Sequence, residues 1–125
     1  MLYSREREVI ILEIPKTGTV ALSTALKDVC EQQVDGLARH AAAYRVRRVL
    51  GPDVWERCET VAVIREPTAW LQSWYRFLVG QERLSDTLPF EDFVHRIGDG
   101  DLVDGQRIGV RSQFERVSDL SLIHI

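Results

Sequence analysis

The sequence predicts an α/β domain with a mainly parallel sheet, and three observations carry that prediction. The run VIILEI, residues 9–14, is continuous, rich in β-branched residues and closed by Pro15, as suits a strand buried on both faces. A second run, TVAVI at residues 60–64, is of the same kind and ends at Arg65. After each run the apolar period changes from that of a strand to that of a helix, and strand–helix units repeated in this way build parallel sheets.

Each element follows from its own residues. Beyond Thr19, the residues Leu22, Ala25, Leu26 and Val29 fall at i, i+3, i+4 and i+7, the core stripe of a helix. Residues 31–39 contain Gly36 and read as a connection. His40 opens a predicted helix that runs through Leu50 and is closed by Gly51 and Pro52. A short amphipathic turn around Val54 and Trp55 leads into the second strand. Pro67 stands where a first helical turn tolerates a missing N–H, and the helix from there to Val79 carries Leu71, Trp74, Tyr75 and Leu78 as its core stripe. On the wheel Ser73 lies opposite that stripe, with Trp70 and Phe77. Residues 88–97 form a further predicted helix, entered by Pro89 and left at Gly98. The stretch GDGDLVDG, residues 98–105, reads as a flexible acidic loop; it has neither the ligand spacing nor the closing Glu of a calcium loop.

The bulk composition narrows the function classes. With 125 residues, 45% of them hydrophobic, the chain suits a single domain with a real core. A formal net charge of -3 carries no polyanion-binding signature, so no nucleic acid polymer is expected as a partner. Cys30 and Cys58 stand apart from each other and from any His, which predicts reduced thiols in a cytoplasmic protein and no metal site. The charged opening MLYSRERE leads straight into the first strand, without an apolar signal region. No apolar run reaches membrane-spanning length, so no membrane partner is expected.

The last six residues, LSLIHI at 120–125, are the in-frame translation of CTG TCT CTT ATA CAC ATC, which looks like the mosaic-end adapter of transposase-based sequencing libraries. A short apolar C-terminal strand would have the same composition. On the adapter reading residues 1–119 are the N-terminal part of a single domain, residues 120–125 are non-native, and His124 has no role.

The chemistry concentrates at the two strand ends. In open α/β sheets ligands bind beyond the carboxyl ends of the strands. After the first strand comes PKTGT, residues 15–19, where Gly18 permits a sharp turn and the amides of residues 17–20 stand at a helix start. Such amides and the helix dipole favour an anion. Lys16 adds a full charge, and Thr17 and Thr19 add hydroxyls. A plain strand-to-helix turn with a threonine cap has the same local sequence. A Walker A loop would place its lysine after the second glycine, whereas Lys16 precedes Gly18. At the second strand end, Arg65 suits bidentate phosphate binding and Ser73, in the next helix, can donate a further hydrogen bond.

PKTGT followed about fifty residues later by R-x-P, with Ser eight residues after the Arg, resembles the sulfotransferase superfamily that uses 3'-phosphoadenosine 5'-phosphosulfate (PAPS). The stretch RHAAAYRVRRVLGPDVWERCETVAVIREP resembles its bacterial branch related to carbohydrate sulfotransferases, and the likeness spans most of residues 8–117. It implies a P-loop-like, three-layer α/β/α fold, incomplete at the C-terminus of this chain. It also implies that Pro15, Lys16, Thr17, Gly18, Thr19 and Val20 bind the 5'-phosphosulfate of PAPS, while Arg65 and Ser73 hold the 3'-phosphate. The residue after R-x-P is often aromatic in that branch and is Thr68 here.

The implied reaction moves a sulfuryl group from PAPS to a hydroxyl of a carbohydrate or other small acceptor, without a metal. Lys16 and the loop amides would stabilise charge on the departing oxygen. His40, which matches a histidine often found in related sequences, is the expected general base; a glutamate, used by some relatives, is the alternative. His95, beside Arg96, suits a solvated helix face. Arg111 and Gln113, in GVRSQFERV, resemble a family stretch that approaches the nucleotide or the acceptor. Two other functions fit less of the sequence. A P-loop kinase needs a magnesium-binding Asp at a strand end, and neither predicted strand ends in one. An inactive fragment or a plain binding module would use the same turn without catalysis.

Overall fold

The computed structural model describes residues 1–98, 102–103, 106–107 and 113. Among them the chain is a mixed α/β protein of two units, Met1–Ile64 together with Gln113, and Arg65–Arg111, each with a core of its own. The LSLIHI segment and Arg111 lie outside the described residues.

In the first unit the opening residues form a strand that the sequence reading lacked. Strand β1 (Leu2–Ser4) turns back through the exposed residues 5–8 and pairs antiparallel with β2 (Val9–Leu12), Leu2 lying opposite Ile11. β2 in turn pairs parallel with β3 (Glu59–Ala62), in the order β1-β2-β3. The sheet is therefore mixed, and its one parallel pair joins the two predicted runs. Each strand stops two residues short of its predicted end, because the chain leaves the ladder at Glu13 and at Val63.

Helix α1 (Thr19–Ala25) is shorter than the period predicts. Leu22 and Leu26 are half-buried, but Ala25 and Val29 face solvent, so the stripe is two residues wide. The next helix does not open at His40. His40 lies in a turn, and α2 (Ala43–Leu50) begins three residues later with Ala42 as its N-cap. Gly51 ends α2 and starts α3 (Pro52–Arg57) with φ at 87°, a left-handed value that glycine adopts without a steric penalty. The predicted turn around Val54 and Trp55 is thus a helix.

The core of this unit explains why α2 and α3 lie where they do. Ile10 and Leu12 of β2 point to one face of the sheet with Tyr3, and Ala43 and Val46 of α2 pack onto them, with Val54, Trp55 and Leu50 around the rim. The other predicted feature of the sheet, burial of the second strand on both faces, does not hold. β3 alternates exposed and half-buried, and Val61, Val63 and Ile64 all reach solvent. An edge strand covered on one side alternates in this way, whereas a doubly covered one reads as a continuous apolar run.

The second unit is built on α4 (Pro67–Gly80) and α5 (Phe90–Gly98). Leu78, Leu84 and Phe93 form its buried centre, surrounded by Trp74, Tyr75, Leu88, Phe90 and Ile97. Tyr75 is held by edge contacts to Phe90 and Phe93 and donates its hydroxyl to the Leu88 carbonyl at 2.6 Å. Trp70 is buried as well and Leu71 only half-buried, so the buried arc of α4 is rotated from the predicted stripe toward the Trp70 side. Trp70 and Trp74 meet edge to face at 6.2 Å between centroids. β4 (Leu102–Val103), within the predicted acidic loop, pairs antiparallel with β5 (Gln106–Arg107), just beyond it. No described helix is long and apolar enough to cross a membrane.

Burial assigned in this way separates two substitutions. Phe93, fully buried, is expected to cost about 3–5 kcal/mol as Phe93→Ala through lost transfer energy and a residual cavity. Ile64, 65% exposed, should tolerate Ile64→Ser within about 0.5 kcal/mol. Thermal unfolding of the two variants checks the pair; similar losses would contradict the burial.

Candidate functional site

The turn after β2 is set by two left-handed residues. Lys16 has φ at 68° and Gly18 at 86°. At Gly18 an added Cβ would meet nothing within 4 Å, so glycine is needed there for its backbone angle and not for space. Lys16 has no such freedom, and a non-glycine residue in the left-handed region costs on the order of 1–3 kcal/mol. Such strain persists only where surrounding structure imposes it. One source of that constraint is Thr17, whose hydroxyl donates to the Ile14 carbonyl at 2.8 Å and closes the turn from inside. That bond commits the Thr17 proton inward; Thr19, the first residue of α1, is buried. Gly18 is the N-cap of α1 and has no side chain with which to bond the first amides. Val20 is 68% exposed beside them.

Around this turn lies a network that the sequence reading missed. Glu13, the residue after β2, is 2% exposed. Its carboxylate takes the Arg39 guanidinium at 3.0 Å on Oε1 and the Met1 amine at 3.0 Å on Oε2. That amine also donates to the Arg39 carbonyl; burial pushes its pKa below the ordinary value, and Glu13 opposes the shift. Arg39 reaches further, donating through one nitrogen to the Thr19 carbonyl and to the Ser23 hydroxyl, both at 3.1 Å. A cleft of about 400 Å³ adjoins the network, with Ser23, Gln32, Gln33 and Leu37 among its walls. The only sequence signal for the network was an acidic residue inside an apolar strand run.

His40 is half-buried, and its Nδ1 lies 2.7 Å from the Glu13 carbonyl. A carbonyl oxygen only accepts, so Nδ1 carries the hydrogen, and in the neutral ring the lone pair then sits on Nε2. The ring's basic nitrogen is thus Nε2.

In the second unit, Arg65 is exposed and precedes α4, while Ser73 is half-buried two turns into it. The residue between Arg65 and the helix proves decisive locally. Glu66 is the N-cap, and its two carboxylate oxygens accept from the amides of Thr68 at 2.8 Å and Ala69 at 2.7 Å. Its pKa is lowered by those backbone bonds, Ala69 first and Thr68 next. The start of α4 is thus already satisfied by a carboxylate of the chain itself. His95 is exposed in the last turn of α5, and Gln113 is half-buried. Cys30 and Cys58 are free thiols, half-buried, and burial raises both pKa values against the nearby Arg7 and Arg57.

Compared with family models, with curated proteins and with solved structures, the chain matches none.

The Glu66 cap yields a pH test. Its folded carboxyl titrates below the ordinary carboxylate value, so its contribution to stability is present above that value and is lost as pH falls through the folded one. Glu66→Ala is expected to lower the unfolding temperature at neutral pH, and the gap from wild type should close in acid. A gap independent of pH, followed by circular dichroism, would show that the carboxylate does not cap α4.

Proposed function

We propose that this chain is a PAPS-dependent sulfotransferase with the P-loop-like, three-layer arrangement that the PKTGT and R-x-P segments imply, acting on a hydroxyl acceptor of carbohydrate type. The observation that carries the proposal is the turn at residues 15–20: a lysine held in a strained left-handed conformation beside a left-handed glycine, at the start of a helix that has no capping side chain. Strain of this kind is retained where it serves a site, and the chemistry offered is that of an anion cradle.

In this mechanism the acceptor oxygen attacks sulfur in line as the bond from sulfur to the bridging oxygen breaks, and adenosine 3',5'-bisphosphate departs. Lys16 and the loop amides stabilise the charge that grows on the bridging oxygen, a role in which one donor contributes about 3–4 kcal/mol. The acceptor proton passes to Nε2 of His40, the nitrogen on which the Glu13 bond leaves the lone pair. Arg65 and Ser73 take the 3'-phosphate, and Arg111 and Gln113 are kept as contacts of nucleotide or acceptor. Two free thiols suit a reducing compartment, and a cytoplasmic location is part of the proposal.

The test is binding of adenosine 3',5'-bisphosphate to the full chain by calorimetry. Wild type should bind it in preference to ATP, and Arg65→Ala should weaken binding on the order of 10- to 100-fold, the equivalent of one charged hydrogen bond. Lys16→Gly should also weaken binding, yet without lowering the unfolding temperature, because glycine relieves the backbone strain. Preference for ATP would overturn the assignment.

A further inference from the structure

Arg39 is 44% exposed along its side chain, and an exposed arginine ordinarily contributes little to a fold. Here it makes three hydrogen bonds to two separate elements. Nε binds the buried Glu13 carboxylate at the end of β2, and a terminal nitrogen binds the Thr19 carbonyl and the Ser23 hydroxyl of α1. The next residue, His40, binds the backbone of the same Glu13. Residues 39 and 40 are therefore fastened to residue 13 twice, once through its carboxylate and once through its carbonyl.

We infer that Arg39 and Glu13 are positioning residues, which fix the tautomer of His40 and hold α1 to the turn bearing Lys16. The inference rests on the sulfotransferase assignment for its purpose but not for its geometry. The planar guanidinium fork can face a carboxylate and a carbonyl together, which a lysine ammonium on a flexible stem does poorly. If the fork is removed, residue 39 loses its side-chain ties to Glu13 and to α1, and the bonds that remain, from the Met1 amine to the residue 39 carbonyl and from the His40 ring to the Glu13 carbonyl, restrain that ring less. Glu13 then retains its bond to the amine of Met1, so the strand end persists while the two attached segments loosen.

The experiment compares wild type, Arg39→Ala and Arg39→Lys in the full chain, with two readouts. The first is the side-chain nitrogen spectrum of His40, in which the two neutral tautomers are distinct. The second is affinity for adenosine 3',5'-bisphosphate. Wild type should show the Nδ1–H form. Arg39→Ala should show both tautomers and bind about tenfold more weakly, as α1 loosens from the turn bearing Lys16. Arg39→Lys, which can still pair with Glu13, should keep the tautomer yet lose affinity for want of the fork; it also serves if Arg39→Ala does not fold. If wild type binds the bisphosphate and either readout of a folded Arg39→Ala stays at its wild-type value, the inference is overturned. The same holds if Arg39→Lys binds as wild type does. If wild type does not bind the bisphosphate at all, the functional assignment fails, and the tautomer spectrum alone still decides the positioning role.

Discussion

The first unit depends on one buried carboxylate. Glu13 is taken out of water where β2 ends, and an ionised group so placed is tolerated only when it is paired and hydrogen-bonded. Its partners come from three directions, the Met1 amine, the Arg39 side chain and the His40 ring on its backbone. Removing one partner of a buried ion pair costs about 3–5 kcal/mol, because the other charge remains in a low-dielectric site. That penalty is what makes the arrangement specific. The segment before α2 has few apolar anchors of its own, Leu37 and Ala41 chief among them, and without Glu13 little would choose its register against β2.

The same constraint bears on the turn that follows. Lys16 lies three residues beyond Glu13, and its left-handed backbone is unfavourable on its own account. The energy that holds it comes from both sides: Glu13 is anchored before it, and Thr19 is anchored after it through the carbonyl that Arg39 binds. Thr17 closes the interval by its bond to Ile14. A seven-residue helix such as α1 would be marginal alone. Its stability is borrowed from these polar ties and from Leu22 and Leu26, since its other apolar residues, Val20 among them, lie in solvent.

What the sequence made legible follows from which forces are local. The parallel pairing of residues 9–12 with residues 59–62 could be read because β-branched runs signal strands directly. Helix α4 could be read because Pro67 marks its start and its apolar period is long. The β1 strand could not: three residues before a charged turn carry no period, and their burial is decided by β2 across the hairpin. The extent of α1 failed for a related reason, since the period at Ala25 and Val29 exists but nothing packs on it. Within the candidate site, the residue types were legible and the wiring was not. Glu13 reads in sequence as an interruption of an apolar run, and only the fold brings Arg39, twenty-six positions away, to it.

The two anion stations proposed here differ in physical kind, and Glu66 accounts for the difference. At α1 the N-cap is a glycine, so no side chain of its own competes with an incoming anion for the first amides. At α4 the N-cap is a carboxylate that already accepts from two of them. An anion approaching the start of α4 would meet a negative group occupying the positive end of the dipole. A phosphate can be held there only by side chains that outweigh Glu66. On the proposed function, recognition at that end would fall to the Arg65 fork and the Ser73 hydroxyl, whereas at residues 15–20 the backbone amides would share it.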